Sequence, residues 1–71
     1  MKRYNIAIIG LGVGERVLVS LKKNKKIKKI KIFDFHNQKL KKISKKYNLE
    51  HYIKEEDIYK DKDINIIYIA S

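Results

Sequence analysis

The stretch Ile8-Ile9-Gly10-Leu11-Gly12-Val13-Gly14-Glu15-Arg16-Val17 decides how the rest of this chain is read. Ahead of it, Tyr4 to Ile9 is an apolar, partly β-branched run that stops at a glycine. That is the signal of a strand covered on both faces in a parallel sheet. Behind it, Val13, Val17, Leu18 and Leu21 recur at helical spacing, which predicts a helix from about Gly14 to Lys22. A glycine-rich corner between strand and helix is built to receive phosphate. Gly10 permits the tight turn, and Gly12 removes a side chain so that the backbone can approach a pyrophosphate. The helix N-terminus then offers unpaired N–H groups and the positive end of its dipole. The common spacing of such turns is G-x-G-x-x-G, but here the third slot holds Glu15 and the third glycine, Gly14, comes one residue early. Gly14 is expected to take over the close packing of helix on strand. Glu15 is expected to point away, because a carboxylate beside a phosphate is repelled.

Further along, Ile30 and Ile32 alternate with Lys29, Lys31 and Phe33, a period-two pattern that predicts a second strand ending at Asp34. Leu40, Ile43 and Tyr47 then share one face of a helix with lysines opposite, starting from Asn37 as N-cap and stopping at Asn48. Leu49 to Ile53 reads as a short third strand and Glu55 to Tyr59 as one or two helical turns. Ile64 to Ala70 has the pattern of a fourth, buried strand. Strands alternating with helices are βαβ units on a parallel sheet. The expected fold is α/β: a partial Rossmann fold of about four strands in the order 3-2-1-4, with crossover helices.

The chain has 71 residues, room for one small domain of marginal stability. It has no cysteine, which excludes disulfides and thiolate metal sites and suits a reducing compartment. His36 and His51 stand apart without neighbours at metal-ligand spacing, so no metal is expected. The net charge of +10 invites a nucleic-acid partner. However, Lys, Ile, Asn and Tyr, all with A/T-rich codons, are abundant together. Seven of the ten residues from Lys22 to Lys31 are Lys, with no aromatic interleaving for base stacking, and a solvated corner is the expected role. No specific nucleic acid and no membrane are expected as partners: the apolar run Ile66 to Ala70 is far shorter than the ~20 residues of a spanning helix. The opening Met1-Lys2-Arg3 lacks the rest of a signal peptide, so the chain reads as soluble and cytoplasmic. His36 reads as a surface loop residue, and the five tyrosines as packing residues with exposed hydroxyls.

Asp34 lies at the end of the second strand, 24 residues after Gly10. The dinucleotide template expects an acidic residue about 20 residues on, where it binds the ribose hydroxyls. No Arg follows Asp34 to receive a 2′-phosphate. Lys39 is a candidate for that contact, so NAD(H) is favoured only slightly over NADP(H). At this point the segments IAIIGLGVGER (residues 6–16), IFDFHNQKLKKISKKYNL (32–49) and DKDINIIYIAS (61–71) resemble, in order and spacing, the opening of the Gfo/Idh/MocA oxidoreductases. That resemblance implies an NAD(P)-binding Rossmann domain. It makes Gly10, Leu11, Gly12, Val13 and Gly14 the pyrophosphate turn and Asp34 the adenosine-ribose ligand, with Ala70 and Ser71 near the nicotinamide ribose. Where the family often has His, this chain has Val17, and Ser71 stands in place of the usual Thr. The family continues with Pro, an E-K-P motif and a substrate domain, none of which is present. Residues 1–71 are therefore expected to be one incomplete cofactor-binding domain without catalytic residues. It would be the N-terminal portion of an oxidoreductase acting on a sugar-like or cyclitol alcohol, with no turnover of its own.

Two other readings of the same residues lead elsewhere. A small basic nucleic-acid-binding protein would bind DNA or RNA with steep salt dependence and be indifferent to Asp34→Ala. A truncated gene product without independent function would leave the fourth strand as an apolar sheet edge, open to an oligomer or to a completing chain.

Overall fold

A computed structural model describes residues 2–70 of the chain. The elements follow in the order β1 (Tyr4–Ile9), α1 (Leu11–Lys22), β2 (Ile27–Phe33), α2 (Asn37–Tyr47), β3 (Glu50–His51), α3 (Glu55–Lys60) and β4 (Ile66–Ile69). The four strands form one sheet in the order β3-β2-β1-β4, with every pairing parallel. The α/β class and the strand order are those expected from the sequence.

The sheet is built around β1. Its residues Ile6 to Ile9 pair with Ile30 to Phe33 on one side and with Ile66 to Ile69 on the other. With both edges hydrogen-bonded, Ala7 and Ile8 lose all contact with solvent. Strand side chains alternate between faces. Ile8 and its partner Ile32 therefore sit on the side where α1 packs, while Lys31 sits on the side of α3 and the loop after it. Leu11 and Leu18 of α1, Leu40 and Ile43 of α2, and Ile58 of α3 are the buried anchors that fix each helix to this sheet.

Several boundaries differ from the sequence reading. Helix α1 begins at Leu11, not near Gly14, because Gly10 at φ 93° swings the chain straight from strand into helix. Helix α2 takes His36, not Asn37, as its N-cap residue; no side-chain capping bond forms there. Its stop at Asn48 is as expected: Asn48 adopts the left-handed conformation, φ 54° and ψ 55°, which asparagine tolerates better than most residues. Strand β3 shrinks to Glu50–His51, pairing with Lys31 and Ile32. The largest correction concerns β4. Its four residues are exposed, between 39% and 64% of their surface, although the sequence pattern is that of a buried strand. The pattern is correct for a strand flanked on both sides, but β4 has a neighbour only in β1.

Polar clasps close the sheet at its lower end. The Asn5 side-chain amide donates to the Asp63 carbonyl at 2.8 Å, and the Asn65 side-chain oxygen accepts from the Asn5 backbone N–H at 2.8 Å. These bonds register β4 against β1 where sequence reading saw only an interruption of an apolar run. On the α3 side, Asp61 accepts from Lys31 Nζ at 2.7 Å and from the Tyr52 hydroxyl at 2.8 Å. Three tyrosine hydroxyls, those of Tyr47, Tyr52 and Tyr59, donate to carboxylates instead of pointing freely into solvent, a second correction. Burial and the Asp61 carboxylate push the Tyr52 hydroxyl well above its ordinary range.

The Lys31 ammonium, with the Asp63 N–H and the Tyr52 hydroxyl, holds the Asp61 carboxyl down to about 2, below its ordinary 3.8. A depressed carboxylate stabilises the fold fully above its unfolded value and loses that contribution as pH falls through the folded one. Asp61→Asn should therefore be less stable than the wild type at neutral pH. It should also lose less stability as the pH falls from 3.8 to about 2. Urea midpoints measured across that window check both statements.

Candidate functional site

The C-terminal ends of β1, β2 and β4 meet in a cleft around the glycine turn. Open parallel sheets bind ligands at such ends, where neighbouring strands lead their connections in opposite directions. Here that point lies between β1 and β4, since β1 leads on to β2 and β4 arrives from the other edge. Gly10 is held on two sides: its N–H donates to the Phe33 carbonyl at 2.9 Å, and the Ala70 N–H donates to the Ile9 carbonyl at 2.8 Å.

The three glycines are required for three different reasons. At Gly10 the backbone is left-handed, and a Cβ would collide with the Ala70 carbonyl oxygen. At Gly14 a Cβ would stand 2.9 Å from the Ile8 Cγ2 and 3.5 Å from the Ala70 Cβ. Gly14 thus permits the close packing of α1 on β1 that the common spacing assigns to a glycine one residue later. Gly12 is different. A Cβ there would meet only the Lys39 Nζ, at 3.6 Å, so nothing within the protein demands a glycine. Its missing side chain leaves open space over the first turn of α1.

Asp34 is bound into the same turn. Its Oδ2 accepts from the Leu11 N–H at 2.7 Å and its Oδ1 from the His36 N–H at 2.7 Å. The carboxylate thereby supplies a partner for one of the unpaired N–H groups at the start of α1 and fixes the β2–α2 corner. Glu15 is turned out of the cleft. It accepts from the Tyr47 hydroxyl at 2.8 Å and from Lys46 Nζ at 3.2 Å, both on α2. These two donors hold its carboxyl below the ordinary carboxylate range. It remains an anion tied to α2 while the mouth of the turn stays free of it.

Of the residues singled out in the sequence, Gly10, Asp34 and Ala70 come together at this cleft, while Leu11 to Gly14 form the first turn of α1 beside it, with Leu11 and Gly14 buried. Ser71 lies outside the described residues. Gly10, Asp34 and Ala70 line a cavity of about 260 Å³ floored by Ile9 and Ile69. Sequence reasoning missed two residues of its wall. Phe35 is 75% exposed and rests edge-on against Phe33, with ring centroids 5.1 Å apart. Glu55 enters from the first turn of α3. An exposed aromatic directly after Asp34 was a usable signal for the first. Nothing in the local pattern around Glu55 links it to residues 20 positions earlier. On the α2 side of Asp34, His36, Gln38, Lys39 and Lys42 line a second, more open groove of about 400 Å³. Among the described residues no cluster of His, Cys, Asp or Glu could hold a metal ion. No helix among them is long and apolar enough to cross a membrane.

Residues 4–71 match the model of the Gfo/Idh/MocA oxidoreductase family, NAD-binding Rossmann fold. Two solved structures share the fold. One is an assigned NADPH-dependent oxidoreductase from Desulfitobacterium hafniense, 24% identical, with a TM-score of 0.84 over 99% of this chain and 20% of that one. The other is GenD2 from gentamicin A biosynthesis, solved in complex with NAD, 12% identical, with a TM-score of 0.87 over 100% of this chain and 21% of that one. The chain thus spans about a fifth of the length of each. No curated protein matches it by sequence.

The glycines should separate in mutagenesis. Gly14→Ala should cost about 1–3 kcal/mol, because Ile8 must shift inside a filled core. Gly10→Ala should cost more, since its obstacle is backbone and its φ is positive. Gly12→Ala should leave stability unchanged or raise it by up to ~1 kcal/mol, the ordinary helical gain. Chemical denaturation of the three variants measures the ranking.

Proposed function

The chain belongs to the Gfo/Idh/MocA oxidoreductase family, and on that premise we propose that it binds a nicotinamide dinucleotide across the glycine turn. The pyrophosphate lies over Gly10 to Gly14 at the N-terminus of α1, and Asp34 takes the adenosine ribose. Ala70, just after β4, stands towards the nicotinamide ribose. One observation above all supports this: Gly12 has no partner inside the protein that requires a glycine, yet it sits at the mouth of the turn beside Asp34. The open space is of use only to something that comes from outside.

When bound, the dinucleotide supplies a hydride acceptor or donor. The residues of this chain bind and orient it: backbone N–H groups of α1 face the phosphates, and the apolar floor of Ile9 and Ile69 excludes water beneath it. The oxidoreductase reaction, at the carbinol carbon of a sugar-like or cyclitol substrate, requires substrate-binding and proton-transfer groups that we do not assign to any residue of this chain. The same reading gives the open side of β4 to a further strand, from a longer chain or another copy.

Cofactor preference turns on the two sides of Asp34. Its carboxylate favours the free 2′-hydroxyl of NAD(H) and opposes a 2′-phosphate. Lys39 and Lys42, in the groove beside it, give a 2′-phosphate some compensation. The two effects nearly offset each other, and NAD(H) is favoured by a small margin.

Gly12→Val should abolish NADH binding while leaving the far-ultraviolet circular dichroism spectrum unchanged. Asp34→Ala should weaken NADH by about tenfold or more, as expected for loss of a hydrogen bond to a charged group, and NADPH by less. Fluorescence titrations with both cofactors measure these effects. Undiminished NADH affinity in Gly12→Val would remove the turn from the binding site.

A further inference from the structure

We propose that Glu55 recognises the exocyclic amino group of the adenine base, so that the cleft selects an aminopurine dinucleotide over its 6-oxo counterpart. The inference rests on the cofactor site described above and assigns a role within it to a residue outside the glycine turn and Asp34.

The geometry has three parts. First, the cavity beside Gly10 is the size of a ring system and not of a whole dinucleotide: about 260 Å³, below the roughly 300–1,000 Å³ usual for complete ligand sites. Second, its surroundings suit a flat, apolar ring. Ile9 and Ile69 form an apolar floor, and the ring of Phe35 stands exposed at one wall, packed T-shaped with Phe33. Third, the wall carries two carboxylates. Asp34 accepts from the Leu11 and His36 N–H groups and is assigned above to the adenosine ribose. Glu55 is held through one oxygen only, Oε1, which accepts from the Tyr59 hydroxyl one helical turn on, at 2.9 Å.

Glu55 also lacks a cation. Among the described residues Glu15, Glu50 and Asp61 each lie within 4.0 Å of a lysine ammonium, and Glu55 does not. In a chain with 18 Lys and Arg against 8 Asp and Glu, a half-buried carboxylate at a cleft without a cationic partner retains its full capacity to accept. A carboxylate is an acceptor only. At the 6-position the purine it fits is therefore one that donates: adenine, with its 6-amino group, whereas the 6-oxo oxygen of hypoxanthine would face it lone pair to lone pair and leave only the neighbouring N1–H to donate. Tyr59 acts as a positioning residue: it holds Oε1 and leaves Oε2 without a hydrogen-bond partner among the described residues.

The test compares NADH with its hypoxanthine analogue, deamino-NADH, by fluorescence titration of the whole 71-residue chain. The wild type should prefer NADH by about tenfold or more, the scale of a hydrogen bond to a charged group. Glu55→Leu should bring the two affinities together. Glu55→Gln, whose amide can both accept and donate, should also narrow the gap while keeping the shape of the side chain. Tyr59→Phe should reduce the preference in part. A wild type indifferent to the base, or a preference that persists unchanged in Glu55→Leu and Glu55→Gln, overturns the role of Glu55 and leaves the glycine turn untouched. A wild type that binds neither dinucleotide overturns the cofactor site itself, and this inference with it.

Discussion

The structure depends on how closely the first turn of α1 can approach the end of β1. Gly14 lies against Ile8 and Gly10 lies against the Ala70 carbonyl, each at a distance that leaves no room for a side chain. Once that contact is made, the start of the helix, the corner after β2 and the end of β4 are fixed relative to one another. Asp34 can then reach the Leu11 N–H, and the open side of Gly12 becomes the only unfilled part of the turn. The cleft is what remains when three strand ends are drawn together around a segment of bare backbone.

Much of this was legible in the sequence, because it follows from local chemistry. Five apolar residues among the six before Gly10, a period of two in Ile30 and Ile32, and spacings of three and four in Leu40, Ile43 and Tyr47 are signals carried by neighbouring residues. They gave the strand order and the place of the turn. The displaced glycine at position 14 was also interpretable, since the physical requirement is for absence of a Cβ against the strand and not for a fixed spacing. What could not be read depends on partners distant in the chain. Asn5 interrupts an apolar run, and its side-chain amide in fact donates to the Asp63 carbonyl while its backbone N–H donates to the Asn65 side-chain oxygen. Tyr52 looked like a packing residue, and its hydroxyl closes on Asp61. The exposure of β4 was hidden for the same reason: an apolar run records the surroundings a strand suits, and says nothing about whether a neighbour is there.

Charge is distributed with equal economy. The helix that carries the turn ends in Lys22, and α2 ends in Lys45 and Lys46, where cations oppose the negative ends of the helix dipoles. Lys22 and Lys46 also lie over the ring of Tyr47, at 5.5 and 5.2 Å from its centroid, and Lys46 reaches back to Glu15. A tyrosine between two ammonium groups, with its hydroxyl on a carboxylate, joins α1 to α2 through groups that are mostly solvated. These three lysines thus have a use at the helix ends.

The contact between Gly10 and Ala70 joins residues sixty positions apart in sequence. Helices of this chain can form from neighbouring residues, but the cleft cannot exist before β4 has found β1. Its assembly carries the loop-closure entropy of nearly the whole polypeptide, and β4 is an edge strand held by β1 alone. The cleft is lined from both partners of that pairing, Ile9 and Gly10 on one side and Ile69 and Ala70 on the other, so a ligand that touched both would act as a staple across it. Occupancy and the docking of the outermost strand become two readings of one equilibrium.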